Sequence, residues 1–246
     1  MIDIIKPNWP VPEHVHAYTT TRVGGYSEPP YDSLNMGYDS GDNEEVVATN
    51  RMLVRETLDL PSEPFWLNQH HGNKIICVDS FPDTLEADGS FARTPDKVCV
   101  VLTADCLPVF MTNPAGTVVA VLHCGWKSQV ANIIENGVNI LRRFTDELLV
   151  WLGPGISAQV YEVGSEFREQ FLNKNPENEV AFKPKENDKW LADMYEIARI
   201  SLRTVGVNAI YGGEYCTYSD PKRFYSYRRD HTTGRMASMI WFAQGI

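Results

Sequence analysis

KVCVVLTADCLPVFMTNPAGTVVAVLHCGWK, residues 97–127, holds two runs rich in β-branched residues, KVCVVLTADC and TVVAVLHC. Both are too apolar to be half-exposed. Runs of this kind are strands buried on both faces, which predicts a sheet with these two at its centre. Each ends in a residue that carries chemistry: Cys106 closes the first, His123 stands at the end of the second, and a polar or glycine-bearing turn follows. Upstream, PFWLNQHHG reads as a strand that stops in the same way at His70, His71 and Gly72.

Working outward, His16 to Thr21, KIICVDS, ELLVWLGPG and GRMASMIWF read as further strands. The spacing of apolar residues predicts helices over Gly41–Leu60, Val130–Phe144, Val163–Leu172 and Trp190–Val205. In the first of these, Asp42 or Asn43 is the cap and Glu44 and Glu45 favour the positive end of the dipole. Its expected buried face is Val46, Val47, Met52, Leu53 and Leu58. Strands and helices alternate irregularly, with no repeat or linker, so the expected fold is a mixed α/β (α+β) layered single domain rather than a doubly wound one. Thr21–Gly37, TRVGGYSEPPYDSLNMG, is too rich in Gly, Pro, Ser and Asn for regular structure. A loop of that length is expected to be functional, and Tyr26, Tyr31 and Leu34 are its expected anchors.

The chain has 246 residues, 43% hydrophobic and 22% charged, the profile of a globular protein. A net charge of −10 argues against a nucleic-acid surface, which needs clustered Lys and Arg, and leaves room for a small basic pocket. The N-terminus lacks the pattern of a signal peptide, and no apolar run approaches a membrane span. A cytoplasmic protein with neither nucleic-acid nor membrane partners is expected. Five cysteines with no CxxC are expected to be mostly free thiols.

His71, Cys106 and His123 are the candidate ligands and catalytic residues. One thiolate and two imidazoles hold Zn²⁺ with a fourth position open, which is the catalytic pattern. A water taken there has its pKa lowered to about 7. The same residues also admit a Cys–His dyad without metal, and, more plainly, a core cysteine and two hydrogen-bonded histidines. Cys124 follows His123 and points to the opposite face if the strand continues. Asp88 in EADGS and Asp105 beside Cys106 are candidates for acid–base or supporting roles. For an anion, Arg22 lies in the TRVGG loop, Lys127 follows CGW, and Arg228, Arg229 and Arg235 crowd YSYRRDHTTGRMAS. Arg22, Lys127 and Arg228 are the phosphate candidates. Tyr225 and Tyr227 stack on a base or pack internally.

TTRVGGYSEPPYDSLNMG, GDNEEVVATNR, WLNQHHG, EADGSF, TADCLPV, LHCGWK, WLGPGI and CTYSDPKRFYSYRRDHTTGRMAS together resemble the YfiH-like family, known as laccase-domain or multicopper polyphenol oxidase proteins. The resemblance covers essentially the whole chain, 1–246. It implies a layered α/β/β/α domain and a ligand triad at His71, Cys106 and His123. It also implies purine nucleoside phosphorylase activity on adenosine, inosine and methylthioadenosine, with adenosine deamination. A bacterial branch implies an alternative, an amidase that edits peptidoglycan precursors with Cys106 as nucleophile and His123 as base. Three positions depart from the family: Cys124 and Lys127 stand where it usually has Ala and Arg, and His70 where it often has Val. Lys127 keeps the charge without the bidentate fork. A copper oxidase with a trinuclear cluster needs many imidazoles, and the chain has six. A Cys–His–His site binds copper avidly, so copper there reads as mis-metallation.

Overall fold

A computed structural model describes residues 1–244. Along the chain run β1 (Ile4–Ile5), β2 (Val15–Thr20), α1 (Glu44–Thr57), β3 (Ile75–Cys77), β4 (Gly89–Ala92), β5 (Cys99–Thr103), β6 (Leu107–Thr112) and β7 (Val119–Cys124). There follow α2 (Trp126–Val130), α3 (Ile133–Leu141), β8 (Leu149–Leu152), β9 (Glu162–Gly164), α4 (Ser165–Lys174), β10 (Phe182–Pro184) and β11 (Lys189–Ala192). The chain closes with α5 (Met194–Thr204), β12 (Ala209–Gly212), α6 (Tyr227–Asp230) and β13 (Met236–Phe242). They build a six-stranded sheet in the order β12-β8-β6-β7-β4-β3, a four-stranded sheet β1-β2-β13-β5 and a small sheet β10-β11-β9.

Alternation along the strands explains the layers. On β7, Val119 and Val121 face a core shared with Cys99 and Val101 of β5 and Ile240 and Phe242 of β13, which lies between the two large sheets. Ala120, Leu122 and Cys124 face outward onto Ile133, Ile134 and Val138 of α3 and Ala198 and Leu202 of α5. On the other side, Val100, Met239 and Trp241 meet Val54 of α1 together with Leu34 and Met36. The result is the expected α/β/β/α sandwich. A separate small core of Val163, Phe171, Phe182 and Ile197 serves the three-stranded sheet.

Several expectations need correction. β7 is central, but β5 is the edge of its sheet; its outer side is covered by PFWLNQHHG. That segment is not a strand: it bridges Cys99 at Phe65 and Glu86 at Asn68, one residue each. In place of a ladder, the Gln69 amide takes the strand's role, accepting from Leu102 N at 2.7 Å and donating to Leu102 O at 2.9 Å. Met52 is exposed, and the buried face of α1 is Val47, Asn50 and Val54. The predicted helix at Val130–Phe144 breaks at Asn132, whose φ is 67°. Trp190–Ala192 is strand, and Asp193 caps the helix that follows. In the long loop Leu34 is buried as expected, whereas Tyr26 is 60% exposed. No helix among the described residues is long and apolar enough to cross a membrane.

Candidate active site

Strand parity puts Cys106 and His123 on one face. Pro108 on β6 pairs with His123 on β7, and Leu107 with Cys124. Cys106 therefore lies on the His123 side, at one end of the gap between the two large sheets, and Cys124 lies on the other. Cys124 is fully buried, and burial pushes its thiol well above the usual range, so it behaves as a small core residue. All five cysteines are free.

His71 arrives from the loop after Gln69 with φ of 60°. One carboxylate sets this turn. Asp88, fully buried, accepts from His71 N at 2.8 Å, Gly72 N at 2.7 Å and His70 N at 3.3 Å. It also accepts from His123 Nδ1 at 2.8 Å, which fixes the ring and aims Nε2 at Cys106. Cys106 Sγ is 3.7 Å from His71 Nε2, and the two imidazole centroids are 4.7 Å apart. The three ligand atoms lie within 4.8 Å of one another and can hold a metal ion.

The electrostatics suit that use. Burial raises the Cys106 thiol, but His123 and His71 outweigh it and bring it to about 6. Burial lowers His123, yet the Cys106 charge and the Asp88 hydrogen bond raise it to about 9. Burial also raises Asp88, and its bonds to His123 and the Gly72 amide pull it below the usual carboxylate range. A cation at the ligand atoms takes the place of the His123 proton and keeps the thiolate.

Gly125, directly after β7, makes room for this arrangement. A Cβ there falls 2.6 Å from His71 Cδ2 and 3.1 Å from Cys106 Sγ. Its φ of −63° suits any residue, so the constraint is space alone. Gly125→Ala is expected to keep the fold and to weaken metal affinity by about 10- to 100-fold, read by chelator competition. Unchanged affinity in a folded variant would show that His71 is not held by this contact.

A cavity of about 580 Å³ opens above the three residues. Its walls include Arg228, Arg235, Tyr161, Trp126, Tyr227 and Asp39. The sequence candidates divide here. Arg228 lines the cavity, with NH1 donating to Glu162 O at 2.7 Å and its guanidinium 4.7 Å from the Tyr161 ring. Arg22 does not line it: Nε donates to Asp32 O, NH2 pairs with Asp32 at 3.2 Å, and the group lies over Tyr225. Arg22 is thus a brace of its loop. Lys127 is exposed and does not line the cavity either; it lies 5.7 Å from the Trp126 ring. Arg229 donates to Thr217 O, Tyr218 O and Phe224 O, which makes it a loop fastener. Tyr225 is buried, and Tyr227 faces the cavity.

Arg235 takes the second cationic place. Buried Asn35 holds it by accepting from Arg235 N at 2.9 Å, while donating to Ser40 Oγ at 2.7 Å. That fixes the Gly37–Ser40 rim to the arginine. Nothing in the pattern around Asn35, Asp39 or Tyr161 marked them in the sequence. His70 contributes its backbone N–H, and its side chain is exposed.

Over residues 16–243 the sequence matches the model of a family described as multi-copper polyphenol oxidoreductase laccase. A protein of Escherichia coli (strain K12) named purine nucleoside phosphorylase YfiH is 46% identical over 242 residues, 98% of this chain and 99% of the relative. A Haemophilus influenzae protein named purine nucleoside phosphorylase is 42% identical over 240 residues, 97% of this chain and 98% of the relative. The crystal structure of the Neisseria meningitidis protein NMB0706 superposes with a TM-score of 0.93 at 40% identity, covering 98% of this chain and 99% of that one.

Proposed function

The chain belongs to the YfiH-like family, described as multi-copper polyphenol oxidoreductase laccase, and from that premise we propose that it is a zinc-dependent purine nucleoside phosphorylase. The reading extends to adenosine, inosine and methylthioadenosine as substrates, to adenosine deamination as a second reaction, and to the cytoplasm, where five free thiols are at home. The observation that carries it is the joining of the His71–Cys106–His123 group to a cavity walled by Arg228 and Arg235.

The donor types support zinc: one thiolate and two imidazoles would hold it, and their ligand atoms lie within 4.8 Å of one another. Cys106 Sγ and His71 Nε2 are 3.7 Å apart. Zinc held by these three atoms supplies a Lewis acid at the cavity floor. In the proposed reaction Arg228 and Arg235 hold the phosphate dianion that attacks C1′ as the purine leaves. Asp39 on the rim offers negative charge to the oxocarbenium character that develops. Tyr161, Trp126 and Tyr227 line the cavity and offer the base an aromatic wall.

The other histidines argue against a multicopper cluster. His14 Nε2 is hydrogen-bonded to Gly116 O at 3.1 Å and His16 stacks on Trp241 at 5.1 Å, and neither lines the cavity. A second reading has one observation in its favour: a thiol lowered to about 6 beside His123 is also a poised nucleophile. It would cleave a muramyl-peptide amide and need no metal.

Arg228→Gln tests the assignment of the anion. The KM for phosphate is expected to rise about tenfold or more, with the nucleoside KM within about twofold of wild type. Equal effects on the two constants, or none, would remove Arg228 from the phosphate site.

A further inference from the structure

Asp105 stands between the two halves of the site. It occupies the turn from β5 to β6, immediately before Cys106, with φ of 90°. A residue with a Cβ avoids that backbone, so the turn persists where its surroundings hold it. Here they do. Asp105 O accepts from Ile156 N at 3.0 Å. Its carboxylate accepts from Thr217 Oγ1 at 2.6 Å, Ser226 Oγ at 3.0 Å and Arg228 N at 2.7 Å. Thr217 and Ser226 are fully buried. Donors gathered on one carboxylate form charge-assisted bonds, stronger than neutral ones.

The third donor ties the carboxylate to function. Arg228 sits in the first turn of α6, which Ser226 caps. Its side chain otherwise touches the far wall, at Glu162 O and Tyr161. We infer that Asp105 is a positioning residue acting through Arg228: its carboxylate fixes α6 against the Cys106 turn and sets the separation across which phosphate and nucleoside meet. The inference rests on the assignment of Arg228 to phosphate.

The test is calorimetric titration of inorganic phosphate into zinc-loaded wild type, Asp105→Ala, Arg228→Gln and the double variant. Asp105→Ala is expected to weaken phosphate binding about tenfold in wild type and less than about twofold in the Arg228→Gln background. Asp105→Asn keeps an acceptor for the Arg228 amide and is expected to recover affinity to within about threefold of wild type. If Asp105→Ala does not fold, Thr217→Val removes one donor and leaves the turn. It should then weaken phosphate about two- to threefold in wild type and not at all beside Arg228→Gln. Additive losses in either double variant overturn the positioning role. A wild type that binds phosphate with this coupling yet cleaves no nucleoside overturns the proposed reaction instead, and leaves the role of Asp105 standing.

Discussion

Cys106→Ala is expected to lose the metal and roughly a thousandfold in phosphorolysis, the equivalent of about 4 kcal/mol of Lewis-acid stabilisation. The sulfur is one of three ligand atoms, and two imidazoles alone leave two tetrahedral positions without protein ligands. Cys106 lies in a turn and is half-buried, so its truncation leaves the strands on either side intact. Deamination, if it uses the same centre, should fall with phosphorolysis. Zinc by elemental analysis and rate by free-base release are the two readouts. Full phosphorolysis with no metal bound would end the zinc mechanism. Loss of activity with metal retained would favour the nucleophile reading.

Asp88→Asn is expected to lower zinc affinity about 10- to 100-fold while the chain remains folded. The reason is that one carboxylate sets both histidines. It orients the His123 ring through Nδ1 and closes the His70–Gly72 turn through three backbone amides. An amide side chain keeps its shape but replaces one acceptor with a donor, so either His123 and the His71 amide or the His70 and Gly72 amides lose their partner. Asp88→Ala should go further, costing about 3–5 kcal/mol of stability in urea unfolding, because buried donors are left without an acceptor. A zinc affinity equal to wild type in Asp88→Asn would show that the carboxylate does not govern ligand geometry.

The triad was legible because chemistry at strand ends is visible in sequence: apolar runs that stop at Cys106 and His123 place both without any structure. The third ligand was legible by the same rule for a mistaken reason. PFWLNQHHG looks like a strand, yet its backbone makes single bridges, and the Gln69 side chain does the pairing. Asp88 entered as one of two aspartates with open roles. Its partners lie 16 to 18 residues upstream and 35 downstream, a convergence no local pattern carries. The anion side was the least legible. Arg22, Lys127 and Arg228 look alike as isolated charges beside glycines and aromatics. What separates them is that Asp32 and Pro221 occupy Arg22 and that Lys127 turns to solvent, while the Asp105 carboxylate seats Arg228 at the cavity. A layered mixed α/β domain is readable from the irregular alternation of strands and helices, whereas the α/β/β/α order of the layers follows only from the family resemblance. β6 carries no sequence signal that separates it from the run before it, and the pattern of α5 runs on over β11, since a short apolar run reads equally as strand or helix.

Phosphate-dependent cleavage of purine nucleosides at this centre has a distinctive product. The most direct measurement is ribose 1-phosphate formed from inosine by the zinc-loaded protein as inorganic phosphate is varied. Saturable formation that vanishes when phosphate is withheld is expected, with hypoxanthine and ribose 1-phosphate in equal amounts. Hypoxanthine released at the same rate without phosphate would contradict it and make the protein a nucleoside hydrolase. No release from any purine nucleoside, with cleavage of a serine-containing muramyl peptide in its place, would contradict it in favour of the amidase.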